Sequence, residues 1–523
     1  MNKEIPKTQV IVVGAGIAGI KTSLDLAKNG ISSLILESRD RLGGRLHTIK
    51  FGKSNLPIDL GASWFHDCYD NPLLKKYWES NKIDFNFDDG KFTYYNEDGL
   101  ISDNEKLKPV LEEIKIYLQS LYDKLSIDKD ISIKQAIYNY IKEKKWCLTD
   151  YQIRHVPQLV RYFELWIGSS WEILSARTIA ADTHKGRDAM VLNGYVNVFN
   201  SELEELINST GLESVNEIID PKSNYFTKSG GCSIKLNSIV YKIQWDSKNK
   251  EINVSIKDSI TGKIQNFRSD YIVLTVPLSI LKLTNLNELG AIEWIPSLPI
   301  NFKNSLNKIS FSSLGKLFFE FPEVFWNLED DRLFSFANVD EEYYKSTKID
   351  LGSHSSYNFI NSRFDKPIEL NGKIPNGLDY SILFLNLAKT TKKPIILALI
   401  ATPLTQYIEK QDLNTIFKVF KPVFARISNL KECKIPKPLS IETSKWSSDP
   451  FSRGSYTGVT IGDDYESALE YFINPKEIFE NSGRVRFAGE GTTDDGNGCV
   501  HAAWETGKRE AANISKMINK AKL

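Results

Sequence analysis

The hydrophobic pattern opens with Val10, Ile11, Val12 and Val13, a β-branched run too short for a helix and suited to a strand covered on both faces. Gly14-Ala15-Gly16-Ile17-Ala18-Gly19 follows, then a helix-compatible stretch to Gly30, then a second apolar run, residues 34–36, ending at Glu37. That order predicts strand, glycine turn, helix and strand. Further on, Leu107, Val110, Leu111, Ile114, Leu118 and Leu121 recur at helical spacing, so an amphipathic helix is expected over residues 104–125. A second helical tract is expected over 150–176. Residues 233–243, 251–256 and 271–276 read as strands, the last stopped by Pro277, while 316–321 and 395–401 read as strands of a separate sheet. The chain is therefore expected to leave its first unit, return near Leu192, leave again after Pro277 and return near Trp446. Neither repeats nor low-complexity segments interrupt it.

Length sharpens this picture. At 523 residues and 59.5 kDa the chain exceeds what one core usually organises, so two domains, or one with a large insertion, are expected. Hydrophobic residues at 41% and charged residues at 25% give ample core and no disorder signature. Lys plus Arg and Asp plus Glu stand at 66 each, which leaves no net field to draw nucleic acid or an anionic membrane. The five cysteines are odd in number and lack metal-ligand spacing, so a reducing compartment and no metal are expected. Residues 1–9 are polar and do not resemble a secretory signal. The longest apolar run, 395–401, sits between Pro394 and Pro403 and falls far short of the roughly 20 residues that span a bilayer, so no membrane anchor is expected.

The glycine turn carries the first chemistry. Gly14 permits a tight turn, Gly16 lets backbone approach a pyrophosphate at the helix N-terminus, and Gly19 lets helix and strand pack closely. Glu37, 18 residues beyond Gly19, can accept both hydroxyls of an adenosine ribose and disfavours a 2′-phosphate. An ordinary glycine-rich turn is the alternative; the strand-helix-strand setting and the acid favour a dinucleotide site.

Glu37-Ser38-Arg39-Asp40-Arg41-Leu42-Gly43-Gly44-Arg45 after such a start resembles the FAD signature of flavin-containing amine oxidases. Asp59-Leu60-Gly61-Ala62-Ser63-Trp64 resembles the family's segment beside the isoalloxazine ring, and Arg486-Phe487-Ala488-Gly489-Glu490-Gly491-Thr492 with residues 498–507 its closing motif. A finer likeness, to yeast-type polyamine oxidases and a related corticosteroid-binding protein, rests on Ser63-Trp64-Phe65-His66-Asp67, Tyr162-Phe163-Glu164-Leu165-Trp166, Leu314-Gly315-Lys316 and residues 446–456. Gly491 and Phe65 depart from the pattern, each standing where relatives carry other residues.

The resemblance implies an α/β fold: a discontinuous Rossmann-like FAD-binding domain (1–85, 187–285 and 440–523) and an α+β substrate-binding domain (86–186 and 286–439). It implies FAD contacts from Gly14, Gly16, Gly19, Glu37, Arg39, Arg45, Gly61, Ala62, Ser63, Trp64, Val240, Trp446, Glu490, Cys499 and Val500. Ser455 stands where monoamine oxidases carry the cysteine that tethers FAD, so noncovalent FAD is expected. Lys316 matches the lysine that holds a water against flavin N5; a solvated strand-end lysine is the alternative. His66 matches an active-site histidine, and an imidazole can hydrogen-bond a neutral amine or exchange a proton near neutral pH. Trp64 and Tyr456 are expected as aromatic walls. Asp88 and Asp89 match an acidic cluster for substrate ammonium groups or, alternatively, form a turn. Asn193 and, more weakly, His184 are further substrate contacts.

The expected activity is FAD-dependent oxidation of spermine, and of N-acetylated polyamines, with O2 to a shorter polyamine, an aminoaldehyde and H2O2. The alternatives are a steroid-binding protein on the same fold or another flavin amine oxidase such as a monoamine oxidase. Ala521-Lys522-Leu523 resembles a C-terminal peroxisomal address read by a soluble import receptor, so a peroxisomal location is expected, with cytoplasm the alternative.

Overall fold

The computed structural model describes residues 5–101, 106–179, 186–219, 229–341, 344, 373–475, 477–480 and 482–522. Strand Lys7–Val13 sits inside the first sheet with Ser33–Leu36 and Ile264–Leu274 parallel on either side. Cys232–Lys235 extends the sheet beyond Ser33–Leu36, while Glu251–Asp258, Ser238–Asp246 and Glu293–Ile295 extend it the other way. Val485–Phe487 returns to pair parallel with Ile264–Leu274. Residues 10–13 are apolar throughout because both faces are covered: Val10 and Val12 pack with helices Ile17–Lys28 and Val500–Lys522, Ile11 and Val13 with the opposite layer.

The second sheet runs Ser440–Thr443, Gly315–Glu320, Ile395–Ile400, Ile382–Leu385, Arg332–Ser335, Phe92–Asn96 and Gly99–Leu100. Leu317, Phe319, Ile396 and Ala398 pack against Phe420 and Phe424 of helix Leu413–Ser428. The alternate residues, Phe318, Leu397, Leu399, Leu383, Leu385 and Phe334, form the other face. Helices Lys108–Lys124, Ile133–Lys144, Asp150–Val160 and Tyr162–Ile167 build a separate apolar cluster beside it.

Several elements differ from the sequence expectation. The strand expected over 233–243 divides at Asn237, whose φ of 54° takes the chain out of extended geometry between two strands. The helical tract over 150–176 breaks at Gly168, left-handed at φ 82°, where an added Cβ would press on the backbone of Ser313 and Leu314. The helix expected over 104–125 is Lys108–Lys124, with residues 104 and 105 outside the described ones. Two strands cross the expected domain boundaries, Ser440–Thr443 pairing in the second sheet and Glu293–Ile295 in the first. Among the described residues no helix is long and apolar enough to cross a membrane.

Candidate active site

A cavity of about 940 Å³ runs from the Gly14–Gly19 turn to the inner face of the second sheet. At its nucleotide end Gly14 has φ 108°, a conformation open to glycine, and Gly19 lies so close to the Gly14 carbonyl that a side chain there would collide. Gly16 is different. It is the N-cap of helix Ile17–Lys28, has no side-chain cap, and a Cβ there would meet nothing within 4 Å. The helix start therefore presents backbone N–H groups to open space, the arrangement that holds an anion.

Glu37 is buried, and its carboxylate accepts from the Ala15 N–H at 2.7 Å and the Arg39 N–H at 2.9 Å, which fixes it beside the turn. Arg39 donates to Asp449 at 2.8 Å and Ser452 at 2.9 Å, and Arg45 to the Ser455 carbonyl at 2.9 Å and Glu490 at 2.8 Å. These arginines tie the Glu37–Arg45 loop to the segment around 449–455. Trp446 donates its indole N–H to the Leu60 carbonyl at 2.7 Å. Gly61, Ala62, Ser63, Val240, Cys499 and Val500 line the same space, and helix Val500–Lys522 begins on it. Thr457 Oγ1, also on the wall, is buried without a hydrogen-bond partner among the described residues. An uncapped helix start, a buried acid and a flat wall of glycine and tryptophan fit a flavin dinucleotide.

Lys316 rises from strand Gly315–Glu320 into the cavity and is 5% exposed, so it is not a solvated strand end. Its Nζ donates to the Asp59 carbonyl at 3.3 Å, the Gly61 carbonyl and Ser63 Oγ, and lies 4.9 Å from the Trp64 ring. Burial lowers its pKa to about 8, against the pull of the Asp59 carboxylate. Burial likewise raises Asp59 to about 6, although Thr48 and the Tyr195 N–H donate to it.

His66 lies next along the wall. Its Nδ1 is 3.0 Å from Asp188 Oδ2 and its ring stacks on Trp64 at 6.4 Å. Trp64 donates its indole N–H to Asp88 at 2.9 Å, and Arg332 clamps the same carboxylate, with Nε 2.8 Å from Oδ1. Tyr456 is held by a 2.7 Å bond from its hydroxyl to the Trp166 carbonyl, and Ser455 donates to the Leu314 carbonyl at 2.9 Å.

The structure thus brings Lys316, His66, Trp64, Asp88 and Tyr456 to one cavity but does not bring Asp89 or Asn193 there. Asp89 is exposed and paired with Arg187 at 2.9 Å, one residue along the turn and on the other side of it. Both ends of the Asn193 amide are spent on backbone, accepting from the Asp84 N–H at 3.1 Å and donating to the Lys82 carbonyl at 2.8 Å. His184 lies outside the described residues. Arg332, Asp188, Tyr162 and Trp166 line the cavity although sequence reasoning assigned them no role. An arginine beginning the apolar run Leu333-Phe334 was a readable signal of the same kind as Lys316; nothing local marks Asp188. Asp67, Cys499 and His501 also bring donor atoms within 4.8 Å of one another, at a helix start whose dipole disfavours a cation.

These features define a flavin-dependent amine-oxidising class of fold, and the chain belongs to it: the description "flavin containing amine oxidoreductase" matches residues 17–515. Membership implies FAD. The chain is 28% identical over 517 residues to a corticosteroid-binding protein of Candida albicans, covering 96% of this chain and 94% of that one. It is 25% identical over 530 residues to polyamine oxidase 2 of Arabidopsis thaliana, covering 97% and 88%. The solved structure of a putrescine oxidase variant redesigned in cofactor binding superposes with a TM-score of 0.64 at 16% identity, covering 97% of this chain and 99% of that one, a likeness of fold.

Proposed function

We propose that the protein is a polyamine oxidase that holds FAD noncovalently and oxidises spermine-type amines to a shorter amine, an aminoaldehyde and H2O2. The observation that carries this reading is Lys316, a buried cation of lowered pKa set between the flavin cradle and a cavity walled by Trp64, His66 and leucines. A resident lysine in an apolar wall is costly without a task.

Bound FAD supplies the acceptor for the hydride equivalent leaving the carbon beside the amine nitrogen, and O2 takes the electrons. The chain supplies the rest. Asp188 orients the His66 ring, whose other nitrogen can take a proton from the substrate ammonium and leave the amine as free base. Trp64 lies between His66 and Lys316, giving a methylene chain an aromatic floor. The carbonyls of Asp59 and Gly61 and the Ser63 hydroxyl hold Lys316 Nζ at the inner end, where it can exchange a proton. Leu383, Leu385 and Leu399 keep that end dry.

Anaerobic mixing with spermine should bleach the flavin absorbance, and aerobic turnover should release one H2O2 per amine consumed; a spectrum unmoved by spermine refutes the substrate assignment. Acid precipitation should leave FAD in the supernatant, because Ser455 offers an alcohol engaged by Leu314 rather than a thiol. We also propose peroxisomal import through Ala521-Lys522-Leu523, of which Leu523 lies outside the described residues. An N-terminal fluorescent fusion should be punctate and become diffuse without the last three residues.

A further inference from the structure

Lys316 and Arg332 leave the same face of the second sheet. Lys316 pairs with Leu399, and two residues on Phe318 pairs with Leu397, which pairs with Leu385, which pairs with Arg332. Lys316 and Arg332 therefore stand three strands and two residues apart, roughly 16 Å at the backbone, with side chains on one cavity. The far cation is only partly spent. Arg332 donates from Nε to Asp88 Oδ1 at 2.8 Å and from Nη2 to the Asp88 carbonyl at 2.6 Å, with Nη2 also against Oδ2. Its Nη1 makes no hydrogen bond among the described residues. Nor does the hydroxyl of Tyr162, which lies on the same wall with its ring 5.8 Å from Phe92, over which the Arg332 guanidinium sits at 5.9 Å.

Two unspent donors, one of them cationic, make a poor receiver for an ammonium group, which brings three donors and a like charge. They suit a carbonyl oxygen, whose two lone pairs can take both. Asp88 would otherwise be an ammonium partner at this depth, but Arg332 neutralises it and both its oxygens already accept from Arg332 or Trp64, while Asp188 is engaged by His66.

Resting on the polyamine reading of the same cavity, we propose that Arg332, positioned by Asp88 and assisted by Tyr162, is a specificity-determining residue that binds the carbonyl of an N-acyl group at the far end of the substrate, selecting mono-acylated polyamines over free ones. Arg332 acts through binding, so its effect falls on KM more than on kcat.

The test compares N-acetylspermine with spermine in wild type, Arg332→Met, Arg332→Lys and Tyr162→Phe holoenzymes, by anaerobic flavin reduction and steady-state turnover. Wild type should favour the acylated substrate. Arg332→Met should lower its kcat/KM at least tenfold, chiefly through KM, and raise that of spermine by releasing Asp88 to an ammonium, which inverts the preference. Arg332→Lys keeps the charge against Asp88 and guards against loss of fold; lacking the fork, it should lose several-fold on the acylated substrate alone. Tyr162→Phe should cost the acylated substrate about threefold. Equal losses on both substrates in Arg332→Lys, or a wild type that favours spermine, overturn the proposal while leaving the polyamine reading intact. Flavin reduced by neither amine overturns both.

Discussion

The two ends of the cavity are built by different means. At the nucleotide end the groups that face the ligand are backbone: the amides at Gly16, the turn at Gly14, the carbonyls and glycines around Gly61. Glu37, Arg39 and Arg45 reinforce them. At the amine end the working groups are side chains from distant strands and helices, with Trp64, Asp88 and Arg332 linked in a row and His66 held by Asp188. A backbone site is specified by where side chains must be absent, a side-chain site by where they must meet. Substitutions should therefore separate the two ends cleanly.

The largest expected effect tests the first half of that contrast. Gly16→Asp places a carboxylate where the phosphates belong, so FAD affinity should fall at least a hundredfold. The apoprotein should lose no stability and gain about a few tenths of a kcal/mol, because the Cβ meets nothing within 4 Å and Asp is a slightly better N-cap than Gly. Flavin titration and thermal unfolding of the apoprotein measure both. A variant that simply unfolds would show that the turn is packing rather than a cradle.

Next comes Lys316→Met, which should keep FAD and slow turnover at least about tenfold, equivalent to ~1.4 kcal/mol of barrier. Timing reduction and reoxidation separately shows which half-reaction Lys316 serves, and wild-type rates in both would remove it from the chemistry. His66→Ala should cost severalfold in kcat/KM for amine with little change in FAD affinity, and should reshape the pH profile. If FAD affinity falls as far as kcat/KM, the two ends are not independent.

The same contrast explains what the sequence made readable. Gly14, Gly16, Gly19 and Glu37 lie within one βαβ unit, so spacing alone placed them: Gly14, Gly16 and Glu37 line the cavity, and Gly19 packs against the Gly14 carbonyl behind it. Trp64 and His66 were legible only as matches to family motifs, Lys316 both as such a match and as a charge heading an apolar strand. Asp89 and Asn193 stood in equally suggestive stretches and turned away, because a side-chain site depends on which face of a turn or strand each residue takes, a matter settled by long-range pairing. Arg332 and Asp188 reach the cavity through partners far off in the chain; the first is marked locally only as a charge opening an apolar run, the second not at all.

A last expected effect is one of pH. Burial lowers Lys316 from 10.5 to about 8, so between those values the folded chain binds fewer protons than the unfolded chain. Stability therefore rises with pH across that window. The wild-type apoprotein should gain on Lys316→Met in denaturant unfolding between pH 8 and 10.5; parallel curves would place Lys316 in water.

The hydroxyl of Thr22, in the first helix, donates at 3.2 Å to the carbonyl of Gly507, in the last, across 485 residues of chain. Gly507 is glycine there because a side chain would strike the Ala18 carbonyl. During translation the Gly14–Gly19 turn emerges early, yet the helix that seals it follows on the order of half a minute to a minute and a half later, at about 5–20 residues per second. A nascent chain thus carries its nucleotide motif well before the helix that packs on it, and FAD loading is expected only once residues near 507 have emerged.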